Sequence, residues 1–461
     1  MVFRARPLAL SPKWKKFAKV MDPWQRWRRP AGRPHPATLS GIILLLVIAL
    51  LVACGQAAGV GSELSASATP LPTAMKTATR PTATRTQLPP TKTATSRPTL
   101  TPPPVTVDHT PTPTAEPPRP LFESPEYGIH LSQWWHLDAL QQDLALAQQM
   151  GFGWIKQKFP WRDIEKAKGE FDWYRPDEIV AAVEAAELKL LVRLDVHPLW
   201  SVLSLPDEQI TPNQPPVDFQ DFGDFCHALA ERYRGRIGAY QVWNEPNLSR
   251  EWGNRSPDPQ EYTELLRVCY EGIKRADPGA IVISAGLAPT GDQPPRAMPD
   301  ADFLQGMYDA GAAAYFDVLG LNAPGYKAPP EADPEEGITV PGYGGHRWNV
   351  FRHVEDMREI MVRNGDEDKQ VAILEMGWVL SQDIHADYTW HGVSEQEQAD
   401  YLVRAYRYAR QHWQPWIGLM TTIYIADFDW TPEANEQYWW SIVLPDGTPR
   451  LAFQALAEMD K

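Results

Sequence analysis

Arg236-Ile237-Gly238-Ala239-Tyr240-Gln241-Val242-Trp243-Asn244-Glu245-Pro246-Asn247 reads as a short apolar strand running into a proline-stopped loop. Proline has no amide hydrogen to give to a sheet ladder, so the strand ends near Pro246. Glu245, with the carboxamide of Asn244 beside it, is then left at the strand's C-terminal edge. In a barrel of parallel strands that edge carries the chemistry. A lone Glu there is more simply an acidic turn residue. Trp, Asn, Glu, Pro and Asn gathered at one strand end argue for a catalytic carboxylate instead.

Working outward, strands alternate with helical periods on both sides. Upstream, Tyr127–Leu131, Gly153–Phe159 and Leu188–Leu194 read as strands, with helices over Asp138–Met150 and around Asp177–Glu187. A helix over Phe219–Tyr233 then leads into the quoted stretch as the fourth strand. Downstream, strands are expected over Ala280–Ser284, Phe316–Asn322, Gln370–Glu375 and Ile417–Tyr424, with helices near Glu261–Arg275, Val350–Asn364 and Glu395–His412. Eight mostly apolar strands alternating with helices predict an α/β fold, a closed (β/α)8 TIM barrel. The alternative is an open doubly wound sheet. No GxGxxG follows the first strand, so a nucleotide site lacks support.

Barrel logic places a partner for Glu245 at another strand end, and Glu375 closes the seventh strand. Residues 126–461 give about 42 residues per βα unit over eight units, and Glu245 and Glu375 stand 130 apart, about three units. An N-capping Glu is the plainer role for Glu375, but the next helix begins only near Glu395. Two carboxylates at a barrel mouth suit glycoside hydrolysis, one protonated to serve the leaving oxygen and one ionised.

Trp243-Asn244-Glu245-Pro246-Asn247 and Leu374-Glu375-Met376-Gly377-Trp378 resemble the acid/base and nucleophile motifs of clan A glycoside hydrolases, nearest to cellulase-like family 5 and β-xylosidase-like family 39. The similarity extends through Trp161-Arg162-Asp163-Ile164-Glu165, Gly169-Glu170-Phe171-Asp172-Trp173 and Pro445-Asp446-Gly447-Thr448-Pro449, nearly all of 125–461. It implies a retaining O-glycosidase acting on plant- or microbial-type oligo- or polysaccharides, with Glu375 as nucleophile, Glu245 as acid/base and Asn244 on the sugar 2-hydroxyl. The family's strand-two Arg is replaced by Lys156, its strand-six His by Asn322, and Tyr326 is the candidate Tyr donating to Glu375. Among the loop aromatics, Trp378 and Trp430 lie closest to strand ends and are the expected sugar contacts. The same residues would serve a transglycosylase, and a non-catalytic sugar-binding barrel is the reading from a different class. The sugar, the linkage and exo or endo action are not in the sequence.

The chain has 461 residues, divided unevenly in charge. Residues 1–120 hold 16 Lys+Arg and 4 Asp+Glu; the rest hold 28 and 54. So acidic a folded part repels polyanions, and nucleic acid is excluded as a partner. The 19 Trp and 16 Tyr suit carbohydrate. No cofactor and no metal are expected, since no Cys/His cluster has zinc spacing, and a monomer is expected. Cys226 and Cys269 fall in helical segments and are expected as two buried free thiols, pairing only if those helices are neighbours.

The first 54 residues read as an address. A basic segment precedes an uncharged run over Ile42–Ala53, shorter than the roughly 20 residues that span a bilayer. Leu51-Val52-Ala53-Cys54-Gly55 resembles a bacterial lipobox, which implies cleavage before Cys54, lipid on its sulfur, and anchorage to the outer face of the cytoplasmic membrane. An uncleaved single-pass signal anchor is the alternative, and Met21 is an alternative start. Residues 55–121 are Thr, Pro, Ala and Ser, a composition that buries too little apolar area to order itself, and are expected as a disordered stalk. The catalytic domain is then 122–461.

Overall fold

A computed structural model describes residues 122–461, apart from 133, 207–209 and 212. The signal, Cys54 and the stalk lie outside the described residues. Eight strands form a closed, all-parallel barrel in chain order: β1 Glu126–Leu131, β2 Trp154–Pro160, β3 Lys189–Asp195, β4 Ala239–Val242, β5 Ile281–Ile283, β6 Val318–Pro324, β7 Gln370–Gly377 and β8 Ile417–Ile425. β8 pairs back onto β1 through Glu126 opposite Leu419, closing the ring and leaving no edge strand. Among the described residues, eight helices of eight residues or more accompany them: α1 Leu140–Gln149, α2 Tyr174–Ala185, α3 Phe219–Arg232, α4 Pro259–Ala276, α5 Asp300–Asp309, α6 His353–Arg363, α7 Glu395–His412 and α8 Leu451–Glu458. No helix of the described residues is long and apolar enough to cross a membrane.

The expected strands all form, most within one or two residues of their expected bounds. Helix α5 goes beyond the sequence reading; Gly306 in its middle weakens the propensity signal, while buried Phe303, Leu304 and Met307 supply the packing that holds it. A small antiparallel hairpin, Glu165–Ala167 with Glu170–Phe171, is also additional.

Two apolar regions build the fold. The larger lies between strands and helices. The smaller fills the barrel's lower half with Trp154, Leu191, Ala239, Ile281, Leu374 and their neighbours. Phe122 closes the floor: its ring meets Trp154 edge-on at 5.1 Å, and Gln370 at the start of β7 bonds both its amide (3.0 Å) and its carbonyl (3.1 Å). The barrel is therefore open only at the strands' C-terminal ends.

The expectation of two free thiols is corrected. Helices α3 and α4 are packed neighbours, the Cα atoms of Cys226 and Cys269 lie 5.4 Å apart, and the sulfurs are joined. Sequence spacing could not reveal that α3 and α4, on either side of β4, face each other at these two positions.

Candidate active site

Strand β4 ends at Val242, three residues short of Glu245, and the chain then turns sharply. Trp243 and Glu245 take left-handed backbone angles, φ 71° and 40°. Such angles are rare for residues with a side chain and cost of order 1–3 kcal/mol each, so surrounding structure must hold them. The Trp243 amide donates to Leu194 O (2.9 Å), and its buried ring packs on Phe222 and Trp252 and donates to Glu251 O (2.8 Å). The Glu245 amide donates to Gly286 O (3.2 Å). The turn thus points the Glu245 carboxyl over the mouth. Asn322 Nδ2 donates to its Oε1 (2.9 Å) and Arg250 Nη2 to its Oε2 (3.3 Å). Burial raises the proton affinity of Glu245 above the ordinary carboxylate range; Arg250 opposes this and the charge of Glu375 adds to it.

Glu375 reaches the same space through a bulge. Leu321 pairs with Ile373 and Asn322 with Glu375, while on the other side Met420 pairs with Ile373 and Thr422 with Met376. So between Ile373 and Met376 β7 carries one residue more than either neighbour. Ala372 and Leu374 face the barrel interior, and strict alternation would turn Glu375 outward. The extra residue returns it to the interior. There its Oε1 accepts from Lys156 Nζ (3.1 Å) and Arg193 Nη1 (3.1 Å), with His130 Nδ1 at 3.9 Å. Burial pushes this carboxyl upward, but Lys156 and Arg193 outweigh it and hold Glu375 below its usual range. Burial in turn brings Lys156 down to about 8 against the pull of Glu375. His130, buried beside three cations, stays neutral well below its ordinary titration range.

The predicted site residues divide. Glu245, Glu375, Asn244, Lys156 and Asn322 come together at the mouth. Asn244 Oδ1 accepts from the same Arg193 nitrogen (3.1 Å) that serves Glu375. Asn322 lies opposite Glu375 in the strand register while bonding Glu245, so it touches both carboxylates' elements; its amide fits because a Cβ on Gly286 would stand 2.3 Å from its Oδ1. Trp430 stands partly exposed at the mouth, edge-on to Tyr424 at 5.3 Å.

Two expectations are corrected. Trp378 is fully buried: it donates to Ala328 O (2.9 Å), packs on Phe351 and Tyr401, and lies so close over Gly325 that a Cβ there would meet it at 1.8 Å. It is core and offers no face to a sugar. Tyr326 does not donate to Glu375. Its backbone turns left-handed (φ 51°) just past β6, which sends the hydroxyl to Pro289 O (3.3 Å) and stacks the ring on Trp390.

Sequence reading missed His130, Arg193, Arg250 and Glu251. Arg193 had a signal: it shares the parity of inward-facing Leu191 and stands between the apolar Val192 and Leu194, and an inward charge there needs a partner. Glu251 lies on a short 3-10 turn, takes Asn213 Nδ2 at 2.6 Å, and is pushed up to about 7 by burial and by Glu245. Around the pair, several buried polar atoms take no hydrogen bond: His130 Nδ1, Asp195 Oδ1, Arg193 Nε and Asn322 Oδ1. Two of them stand beside charged groups without an aligned hydrogen bond, Arg193 Nε 3.0 Å from Asp195 Oδ2 and Asp195 Oδ1 3.5 Å from Lys158 Nζ. The mouth is therefore suited to a ligand dense in donors and acceptors. At its rim His136 Nε2 lies 3.2 Å from both Asp427 Oδ1 and Asp429 Oδ2.

No family model matches the chain. A beta-xylosidase of Geobacillus stearothermophilus is 24% identical over 158 residues, covering 31% of this chain and 31% of that relative, about a third of its length. A family 39 glycoside hydrolase from Bacteroides cellulosilyticus superposes with a TM-score of 0.52 at 19% identity, over 72% of this chain and 63% of that one. The GH5_18 protein of Streptomyces cattleya, solved with Manβ1-4GlcNAc, also gives 0.52, at 16% identity over 73% and 80%. The described part of this chain is a closed (β/α)8 barrel, the fold it shares with these two glycoside hydrolases.

Proposed function

We propose that the protein is a retaining O-glycoside hydrolase, with Glu375 as nucleophile and Glu245 as acid/base. The observation that carries this reading is the opposite surroundings of the two carboxylates. Glu375 is clamped by two cations on one oxygen, and Glu245, partly buried, has a neutral amide on one oxygen and a single exposed cation, Arg250, at 3.3 Å from the other. Environments that push two carboxyls apart in proton affinity assign the ionised and the protonated partner.

In this mechanism Glu375 attacks the anomeric carbon through Oε2, because Oε1 is held by Lys156 and Arg193. The bond from that carbon to the leaving oxygen breaks as Glu245 delivers its proton to that oxygen. Water then attacks the glycosyl ester and gives a proton to Glu245, and the bond from carbon to Oε2 breaks. Asn244, fixed by Arg193, holds the 2-hydroxyl. Trp430 offers a stacking face on the rim. The named sugars of similar proteins put β-xylosides and β-mannosides first among substrates to try.

Two further parts belong to this reading. The lipobox-like Leu51–Gly55 supports export and a lipid anchor on Cys54. The disulfide supports an oxidising compartment, where such bonds persist.

The test is labelling with activated 2-fluoroglycosides of several sugars, followed by peptide mapping. A covalent sugar on Glu375 is expected. A sugar on any other residue would remove the nucleophile assignment, and no label across the set would favour a binding-only barrel.

A further inference from the structure

The second and third strands end in charged side chains that the double displacement does not use. Alternate residues of a strand share a face, so the inward positions run Trp154, Lys156, Lys158 on β2 and Leu191, Arg193, Asp195 on β3. Lys156 and Arg193 are engaged with Glu375. One step nearer the mouth, Lys158 Nζ lies 3.5 Å from Asp195 Oδ1, and Arg193 Nε 3.0 Å from Asp195 Oδ2. Asp195 is 2% exposed, yet its Oδ1 accepts no hydrogen bond. The Lys158 side chain is 34% exposed, so its ammonium reaches the mouth, and the Asp195 carboxylate lies directly beneath it. Val196, the next residue, holds φ 60°, a left-handed angle that a β-branched side chain seldom takes.

A buried carboxylate oxygen with no donor, beside an ammonium only loosely placed on it, is poor packing but a good receptor for hydroxyls. A hydroxyl both donates and accepts, and two adjacent ones satisfy a carboxylate and an ammonium together. The single guanidinium of Arg193 fixes where this happens. Its Nη1 serves Asn244 and Glu375 and its Nε faces Asp195, so Asp195 lies across that group from the 2-hydroxyl position.

We propose that Lys158 and Asp195 form the hydroxyl-reading subsite of this site. They take the adjacent 3- and 4-hydroxyls of a pyranose whose anomeric carbon faces Glu375, Asp195 accepting from one and Lys158 donating to the other. This rests on the glycosidase reading above for the sugar's orientation. It makes Asp195 and Lys158 specificity residues, and the substrate class a pyranoside with both hydroxyls free.

Hydroxylated piperidines with xylo, gluco, manno and galacto patterns, titrated calorimetrically into the full chain, test this without turnover. The pattern that binds best is compared with its analogues lacking the hydroxyl equivalent to O3 or O4. Loss of one charge-assisted hydrogen bond predicts roughly 10- to 100-fold weaker binding for each analogue. With Asp195→Asn or Lys158→Met the parent should weaken similarly, while one deoxy analogue loses little more. Equal binding of parent and analogues by the unaltered protein overturns the proposal, as does no binding of any piperidine. If Asp195→Asn weakens parent and analogues by one common factor, Asp195 acts only through Arg193 and the subsite fails. Selective piperidine binding without any 2-fluoroglycoside labelling would leave the subsite standing and remove hydrolysis.

Discussion

At the residue scale the site turns on how one carboxylate is kept ionised among buried groups. Lys156 is a point charge, and the planar fork of Arg193 stands on the neighbouring strand. Together they give Glu375 two donors on one oxygen. With hydrolysis as proposed, the rate against pH should be bell-shaped. It falls on the acid side as Glu375, set low by its cations, takes a proton, and on the alkaline side as Glu245, set high by burial, loses one. Lys156→Met removes one cation, so Glu375 should titrate higher and the acid limb of kcat/KM should move up by about 1 pH unit. An unchanged acid limb would show that Arg193 alone sets the nucleophile. The Glu245–Glu375 pair was legible because each sits in a motif at a strand end. Arg193 and His130 were not singled out because a charge or imidazole inside an apolar run resembles any strand residue until its face is known. Tyr326 and Trp378 went wrong for a related reason. Adjacency to a strand end in sequence does not say which way the chain turns next.

At the element scale, two local departures from regularity place the two carboxyls. The left-handed turn after β4 aims Glu245, and the extra residue in β7 rotates Glu375 inward. Strand count and spacing were readable from apolar runs. The bulge was not, because Ala372-Ile373-Leu374-Glu375-Met376 carries no glycine or break to mark it. The Cys226–Cys269 bond ties α3 to α4, the helices before and after the strand that presents Glu245. It closes a chain segment of 43 residues. The entropy removed from the unfolded chain by a loop of that size corresponds to about 3–4 kcal/mol. The paired substitution Cys226→Ala with Cys269→Ala should therefore lower unfolding stability by about that amount in denaturant titration. A loss below about 1 kcal/mol would mean the helices hold each other without the bond.

At the scale of the whole molecule, charge and composition divide the chain into a basic leader, a Thr/Pro tract and an acidic barrel. Composition made this division legible, and within the described residues Phe122 already belongs to the barrel floor. With export as proposed, Cys54→Ser should abolish incorporation of labelled fatty acid into the chain when it is made in a bacterial host; retained label would refute the anchor. The clamp on Glu375 also bears on the tempo of the complete cycle. Two cations that make a carboxylate a weak base also make it a willing leaving group. Once a sugar is esterified to Glu375, its negative charge is gone, and Lys156 and Arg193 face a neutral ester they would stabilise better as an anion. In the proposed double displacement the attachment is thus slow to form and quick to break, and the protein should spend most of its working time waiting for the first bond to be cut, with little sugar held on it at any moment.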